Sequence, residues 1–194
     1  MSSIVVAGDT SGSVTLQAPA VSGSTVLTLP AVSGTVITTG TTGQVIPKAA
    51  LPTGSVLQVV TATYSTATST TSATLADTGL TATITPLFST SKILVLVHQN
   101  GGVKGGSASF PNCSITLALL RNASILTYPN IRAGLTGLVT DLYLTSISTA
   151  YLDSPATTSA TTYKTQYANY QAGGTIYLQL VGETSTITLM EIAT

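Results

Sequence analysis

Few residues of this chain could do chemistry. It has one histidine, His98, and one cysteine, Cys113. Catalysis by His98 as a general base would need a nucleophile and a carboxylate beside it in the fold, and no Gly-x-Ser-x-Gly nucleophile motif occurs. The pattern therefore favours a structural histidine at the end of an apolar strand. Cys113 begins an apolar segment, which indicates a small buried side chain.

The carboxylates and glycines give no stronger signal. None of the six carboxylates lies close to another along the sequence, although distant residues can meet on folding: Asp9, Asp77, Asp141, Asp153, Glu183 and Glu191. The glycine-rich stretch 101–106 lacks the spacing of a phosphate-binding loop. One histidine and one cysteine cannot supply a Cys/His zinc site. We predict no catalytic residue, no cofactor and no metal; an enzyme such as a depolymerase is the least favoured alternative.

The composition narrows the choice of partner. Charged residues make up 6% of the 194 residues, the formal net charge is zero, and serine and threonine number 60; about 25% charged residues is usual. The first basic residue is Lys48, which argues against nucleic-acid binding. The longest apolar run, 93–97, is far shorter than the roughly 20 residues that cross a bilayer. Residues 1–7 do not have the pattern of a secretory signal. We expect neither a nucleic-acid nor a membrane partner.

The first 54 residues contain a repeat. The sequence Pro-Ala-Val-Ser-Gly at 19–23 recurs at 30–34, and β-branched residues between these turns favour short extended strands. Units of this length cannot bury a core of their own and must pack on something else. We predict that 1–54 is an extended arm and linker, which contacts a partner through Val14, Leu16, Val26, Leu27, Leu29, Val36 and Ile37. The alternative is an arm packed on its own C-terminal domain.

Residues 55–194 contain eight or nine strand-like segments separated by turns. The most apolar segment, 92–98, is predicted to be the central strand. The predicted segments are 56–60, 72–75, 80–85, 92–98, 113–120, 138–148, 161–168, 175–181 and 185–192. The predicted fold is therefore all-β: a β-sandwich or jelly-roll domain at 55–194 preceded by the arm.

Threonine and serine occupy strand positions that usually carry Lys or Glu, for example Thr81, Thr83 and Thr186. A hydroxyl can be buried at little cost when it is hydrogen-bonded, whereas an unpaired charge cannot. This composition predicts a permanent homo-oligomer, with a threonine-rich monomer as the alternative. Six of the eight tyrosines lie beyond residue 142, and tyrosine is favoured at contact surfaces. We expect exposed recognition residues among Tyr151, Tyr163, Tyr167 and Tyr170; a core role for about half of them is the alternative.

Two parts of the sequence resemble tailed-bacteriophage virion proteins. Residues 8–19, 25–30 and 34–36 are similar to the N-terminal arm of such proteins. Residues 84–95, 152–164 and 185–192 are similar to their C-terminal module. The arm and the C-terminal module to which these segments belong together cover most of the chain. The resemblance implies a virion structural protein without catalytic residues, from a group that includes tail fibres, head fibres and capsid decoration proteins and that commonly forms trimers.

We therefore expect a capsid cement or decoration protein, made in the cytoplasm of a bacterial host. It would sit as a homotrimer on the outer surface of the phage head, where its arm contacts the major capsid protein or other virion proteins. The alternative is a short tail- or head-fibre protein whose β-domain binds a host surface glycan.

Overall fold

A computed structural model of the chain describes residues 3–7, 13–17, 48, 51–104, 113–136, 142–171 and 174–194. It divides into two compact units, Met1–Val45 and Ile46–Thr194. In the first unit, β1 (Ser3–Ala7) and β2 (Ser13–Gln17) form an antiparallel pair. Of the predicted arm contacts, Val14 and Leu16 belong to β2. The others lie outside the described residues: Val26, Leu27, Leu29, Val36 and Ile37.

Within its described residues, the second unit has antiparallel strands and no α-helix, and a short 3-10 turn spans Leu180–Gly182. This confirms the prediction of an all-β chain. The strands are β3 (Val56–Tyr64), β4 (Thr68–Thr70), β5 (Ala76–Ile84), β6 (Lys92–Lys104), β7 (Cys113–Arg121), β8 (Ser124–Thr136), β9 (Leu142–Asp153), β10 (Thr161–Asn169), β11 (Thr175–Leu178) and β12 (Ser185–Ile192).

The strands pair in a nested order, the first with the last and so on inwards. The nested pairs are β3 with β12, β4 with β11, β5 with β10, β6 with β9, and β7 with β8. Further pairings join these into a four-stranded sheet, β5-β10-β7-β8, and a six-stranded sheet around β6. In the six-stranded sheet, β6 pairs with β9 along one edge and with β12 and β11 along the other. The described strands of the second unit thus form a series of nested antiparallel pairs that is distributed over two sheets.

Apolar side chains of both sheets share one core. Alternate residues of β5 and β12 are buried, as the period of two in a strand requires. The four-stranded sheet contributes Leu80, Ala82, Ile84, Leu119 and Tyr163, and the six-stranded sheet contributes Ile93, Val95, Val97, Ile187 and Leu189. A second cluster includes Ile115, Leu117, Ile147, Tyr167, Ile176 and Leu178. The two sheets therefore pack on each other in a sandwich-like arrangement.

Buried polar contacts fix the two sheets relative to each other. The Asp153 carboxylate on β9 accepts hydrogen bonds from Arg121 Nη1 at 2.9 and 3.0 Å and from Tyr163 Oη at 2.6 Å. Burial and this bond to Asp153 raise the pKa of Tyr163 far above its ordinary value. Elsewhere, Thr165 Oγ1 donates to Gln99 Oε1 at 3.1 Å, and Gln99 Nε2 donates to Ser185 Oγ at 2.9 Å. Each set joins the four-stranded sheet to the six-stranded one.

Glu191 ties the segment after β5 to β12. Its buried carboxylate accepts hydrogen bonds from the Leu87 and Phe88 amides, at 2.8 and 3.3 Å, and from Gln58 Nε2 at 2.6 Å. Burial by itself would raise the pKa of Glu191, but the hydrogen bonds, with Gln58 the largest contributor, hold this pKa below its ordinary value. The ionised carboxylate is therefore the form that the fold stabilises.

We predict that Glu191→Gln lowers the free energy of unfolding by about 1.5 to 3 kcal/mol near pH 7, because an amide group would place N–H donors against N–H donors. A depressed pKa in the folded state stabilises the fold above the unfolded pKa, and this contribution is lost as pH falls through the folded value. The difference between wild type and variant should therefore shrink as the solution is acidified below about pH 4.

Urea unfolding over this pH range measures both free energies. Asp77→Asn is the control, because Asp77 forms an exposed ion pair of small energetic value with Lys164. A difference between wild type and Glu191→Gln that does not depend on pH would contradict this role of the carboxylate.

Candidate functional site

The candidate site is the outer face of the six-stranded sheet, defined as the side chains of β3, β12, β6 and β9 that point away from the core, continued by those of β4 and β11. The register places four of them side by side across the sheet. Val59 is opposite Met190, Met190 is opposite Leu94, and Leu94 is opposite Leu152. Val59 is 54% and Leu152 52% exposed, while Met190 and Leu94 are half-buried. We call these four residues the apolar row.

From the apolar row towards the start of β9, the successive rows of the outer face become polar, and an apolar side chain follows again at Leu144. The next row combines Leu96 and Ala150 with two threonines, Thr61 and Thr188, whose hydroxyls are 3.2 Å apart. The row after it, which we call the polar row, consists of Thr63, Thr186, His98 and Ser148. Farther along, Leu144 (59% exposed) is level with Gly102, Tyr177 and Ser69.

The outer face carries almost no charge. The described residues of these four rows include no Asp, Glu, Lys or Arg. Lys92 lies one row beyond the apolar row, opposite Ile192. A surface of this kind can be covered by a neighbouring molecule without burying an ion.

The outer face of the four-stranded sheet differs. There Lys164 Nζ lies 2.8 Å from the Asp77 carboxylate, and Gln166 Nε2 donates to the same carboxylate at 2.8 Å. These bonds, with Lys164 the largest contributor, lower the pKa of Asp77. The hydroxyls of Thr83 and Thr162, 2.8 Å apart, occupy the next positions. Ile125 of β8, 43% exposed, also lies on this face. The charged and polar groups of β5 and β10 bond one another and suit contact with water, so this side of the face differs in chemistry from the outer face of the six-stranded sheet.

The residues with catalytic potential do not form a catalytic arrangement in the described part of the chain. His98 Nδ1 and Ser148 Oγ lie 2.8 Å apart in the polar row, and no carboxylate among the described residues bonds to this histidine. Cys113 is buried, 1% exposed. Asp77, Asp153 and Glu191 bond the partners named above. The described residues contain no group of three or more His, Cys, Asp or Glu placed to hold a metal ion, and none of their helices could span a membrane.

The tyrosines expected at an exposed surface are mostly not there. Tyr163 and Tyr167 are 0% and 2% exposed, because both lie at the inward positions of β10; the prediction that they are exposed is wrong. Tyr151 is half-buried against the core. Tyr170, 39% exposed, lies beyond the end of β10 with the Arg132 guanidinium 4.3 Å from its ring centre. The alternative that about half of these tyrosines belong to the core describes them better.

The apolar row was not among the predicted site residues. One signal for it is present in the sequence: residues 93–97 are apolar without interruption, whereas a strand with one face in water alternates apolar and polar residues. That signal points to Leu94 and Leu96. Nothing local marks Val59, Met190 or Leu152, because they join the row only through the register between strands.

Comparisons with protein-family models and with curated proteins found no match to this chain. The chain's own residues, chiefly those of the outer face of the six-stranded sheet, are therefore the guide to its function.

Removal of the Tyr163 hydroxyl tests the assignment of this tyrosine to the core. We predict that Tyr163→Phe lowers the free energy of unfolding by about 1.5 to 3 kcal/mol, because the buried Asp153 carboxylate loses a hydrogen-bond donor. Tyr170→Phe, the matched control, should have an effect within about 0.5 kcal/mol. Urea unfolding at one protein concentration measures both variants. Equal effects of the two substitutions would contradict the assignment.

Proposed function

We propose that this chain is a non-enzymatic capsid decoration protein of a tailed bacteriophage, a homotrimer on the outer surface of the head that stabilises the coat lattice. The observation that carries the proposal is the outer face of the six-stranded sheet, where Val59 and Leu152 are more than half exposed and no charged side chain belongs to the rows. Such a face suits a molecule that works in permanent contact with neighbouring subunits. The resemblance of the sequence to phage virion proteins supplies the location.

The nested strand pairing supports the proposal that the sandwich-like domain over 55–194 is a jelly roll. A jelly roll is a long antiparallel double strand folded over into two facing sheets. The pairing of β3 with β12, inwards to β7 with β8, has this order. We take this domain to be the outward-facing, trimer-forming part of the protein.

The arm over 1–54 is proposed to hold the protein on the head. In its described residues the arm has short strands, β1 and β2, which pair through backbone hydrogen bonds. Short strands of this kind can also pair with the exposed edge of a sheet in another protein. The partner we propose is the major capsid protein or another virion protein, with the arm lying across neighbouring subunits.

Stabilisation of the lattice follows from mass action. A protein that binds the assembled coat but not the separated subunits shifts the equilibrium towards the assembled coat, by an amount that grows with its affinity and concentration. Contacts between uncharged surfaces depend little on salt, because ionic screening acts on charges. A chain with 6% charged residues is therefore suited to a head that passes between environments of different ionic strength.

The second candidate function is a fibre protein that binds a host surface glycan. Tyr170 and Arg132 favour it, because an exposed aromatic ring beside a guanidinium offers both a stacking surface and hydrogen-bond donors. The other residues first considered for this role give less support, since Tyr163 and Tyr167 belong to the core. Capsid decoration is therefore the preferred function.

The proposal is tested with phage particles that lack this protein. We predict that they assemble but lose infectivity at lower temperature and after milder osmotic shock than complete particles, and that the purified full chain restores the resistance. Electron microscopy of complete particles should place the protein on the head surface. Unchanged resistance of the deficient particles would contradict the proposal. Density only on a fibre, together with adsorption of the purified protein to host cells, would favour the second function.

A further inference from the structure

The outer face of the six-stranded sheet also indicates how copies of the chain would meet. We propose that neighbouring copies associate through this face, with the β3 side of one copy against the β9 side of the next. The inference rests on the proposed function in taking the partner to be a second copy of the chain. It adds the surface, the orientation and a pair of residues in contact.

The apolar row needs a covering partner. An antiparallel sheet that packs on a core with one face normally presents polar residues on the other. Here the apolar row runs across all four strands, and Leu96 and Ala150 extend it by one row. Half-exposed apolar side chains that adjoin one another form a patch, and patches of this kind mark contact sites rather than ordinary surface.

The charge pattern favours a second copy as the partner. A second copy brings the same uncharged rows, so their contact would leave no ion buried without a counter-ion. The net charge of the chain is zero, so copies do not repel one another as whole molecules. The hydroxyls of Thr61 and Thr188 already bond each other, and Ser148 bonds His98, so covering these four side chains leaves none of them without a partner.

The area is sufficient for a stable contact. Along the strands, β9 advances eight residues from the apolar row to the level of Leu144, so the face is about 27 Å long at about 3.4 Å per residue. Across the strands, the axes of the first and fourth strands are about 14 Å apart. With a margin for side chains, the face covers roughly 600 Å² in projection, and its accessible area is larger because side chains protrude. A standard interface uses about 800 Å² per partner.

The order of the rows fixes the orientation. A rotation about an axis parallel to the strands keeps each row at its own level, so apolar rows meet apolar rows and polar rows meet polar rows for any number of copies. A twofold axis running across the strands at the middle of the face would instead set the apolar row against the level of Leu144. The parallel axis brings the β3 side of one copy to the β9 side of the next. Val59 then lies beside Leu152 of the neighbouring copy, with Met190 and Leu94 nearest the axis.

A disulfide cross-link tests this contact in the full chain. In the double variant Val59→Cys/Leu152→Cys, the two cysteines of one copy are three strand spacings apart, about 14 Å, which exceeds the roughly 7 Å that a disulfide can bridge. Only cysteines of different copies can therefore join. We expect mild oxidation to convert most of the double variant into covalent oligomers on a non-reducing gel, and each single variant to remain single chains.

The control is the double variant Thr81→Cys/Ile125→Cys on the four-stranded sheet. These residues are also three strands apart at one level, through Lys164 and Leu120, and both are exposed. The control should remain single chains under the same oxidation. As a second measurement, Leu152→Lys should lower the native mass of the protein at matched concentration while leaving its circular dichroism spectrum unchanged.

The outcomes separate this inference from the proposed function. Covalent products that stop at three chains support both the contact and the trimer, and products that stop at two keep the contact but overturn the trimer. The contact is overturned if a native oligomer forms but gives no cross-link between residues 59 and 152. It is also overturned if the control pair cross-links equally. Neither result bears on the virion location, which has its own test. A native mass of one chain, at concentrations matching those of assembly, overturns the contact as well.

Discussion

The architecture of this protein depends on one constraint: the six-stranded sheet carries apolar side chains on both faces, in the core on the inner face and in the apolar row on the outer one. Its inner face, which presents Ile93, Val95, Ile187 and Leu189, must be covered to form the core, and the four-stranded sheet covers it. On the outer face, Leu94 and Met190 occupy the positions that alternate with these buried residues along β6 and β12. They lie between the more exposed apolar side chains of Val59 and Leu152. Burial of apolar surface is favourable by about 25 cal/mol per Å², so association that covers the outer face gains free energy by the same effect that folds the chain.

The surface carries even fewer charged groups than the 6% of charged residues in the sequence suggests. The Asp153 and Glu191 carboxylates are buried and bonded to groups of the protein itself, and Arg121 is held by Asp153. These three ionisable groups thus fasten the sheets and connecting segments to one another and add little charge to the surface. Buried charge of this kind is tolerated only with complete hydrogen bonding, which both carboxylates have.

Local pattern was enough to predict much of the fold and little of the site. The all-β class, β12 and the starts of β6, β7 and β10 agree with the predicted segments, because alternation and turn residues mark them. The strand β8 was missed, and 72–75 was predicted as a strand that the structure lacks. β8 contains Pro129 and Gly134, and over four successive intervals it advances more residues than β7 does. Such bulges remove the period of two on which the prediction relies.

The apolar row could not be predicted for a related reason, since its members come from four strands far apart in sequence. Their alignment depends on the register of three strand pairs, and a slip of one residue would turn Met190 towards the core and Leu189 outwards. The core opposes such a slip, because Leu189 and Ile187 fill it from the same strand. Burial on the inner face therefore determines which residues appear on the outer one. A surface specified in this way is as fixed as the core, which is the property that a repeated contact between identical subunits requires.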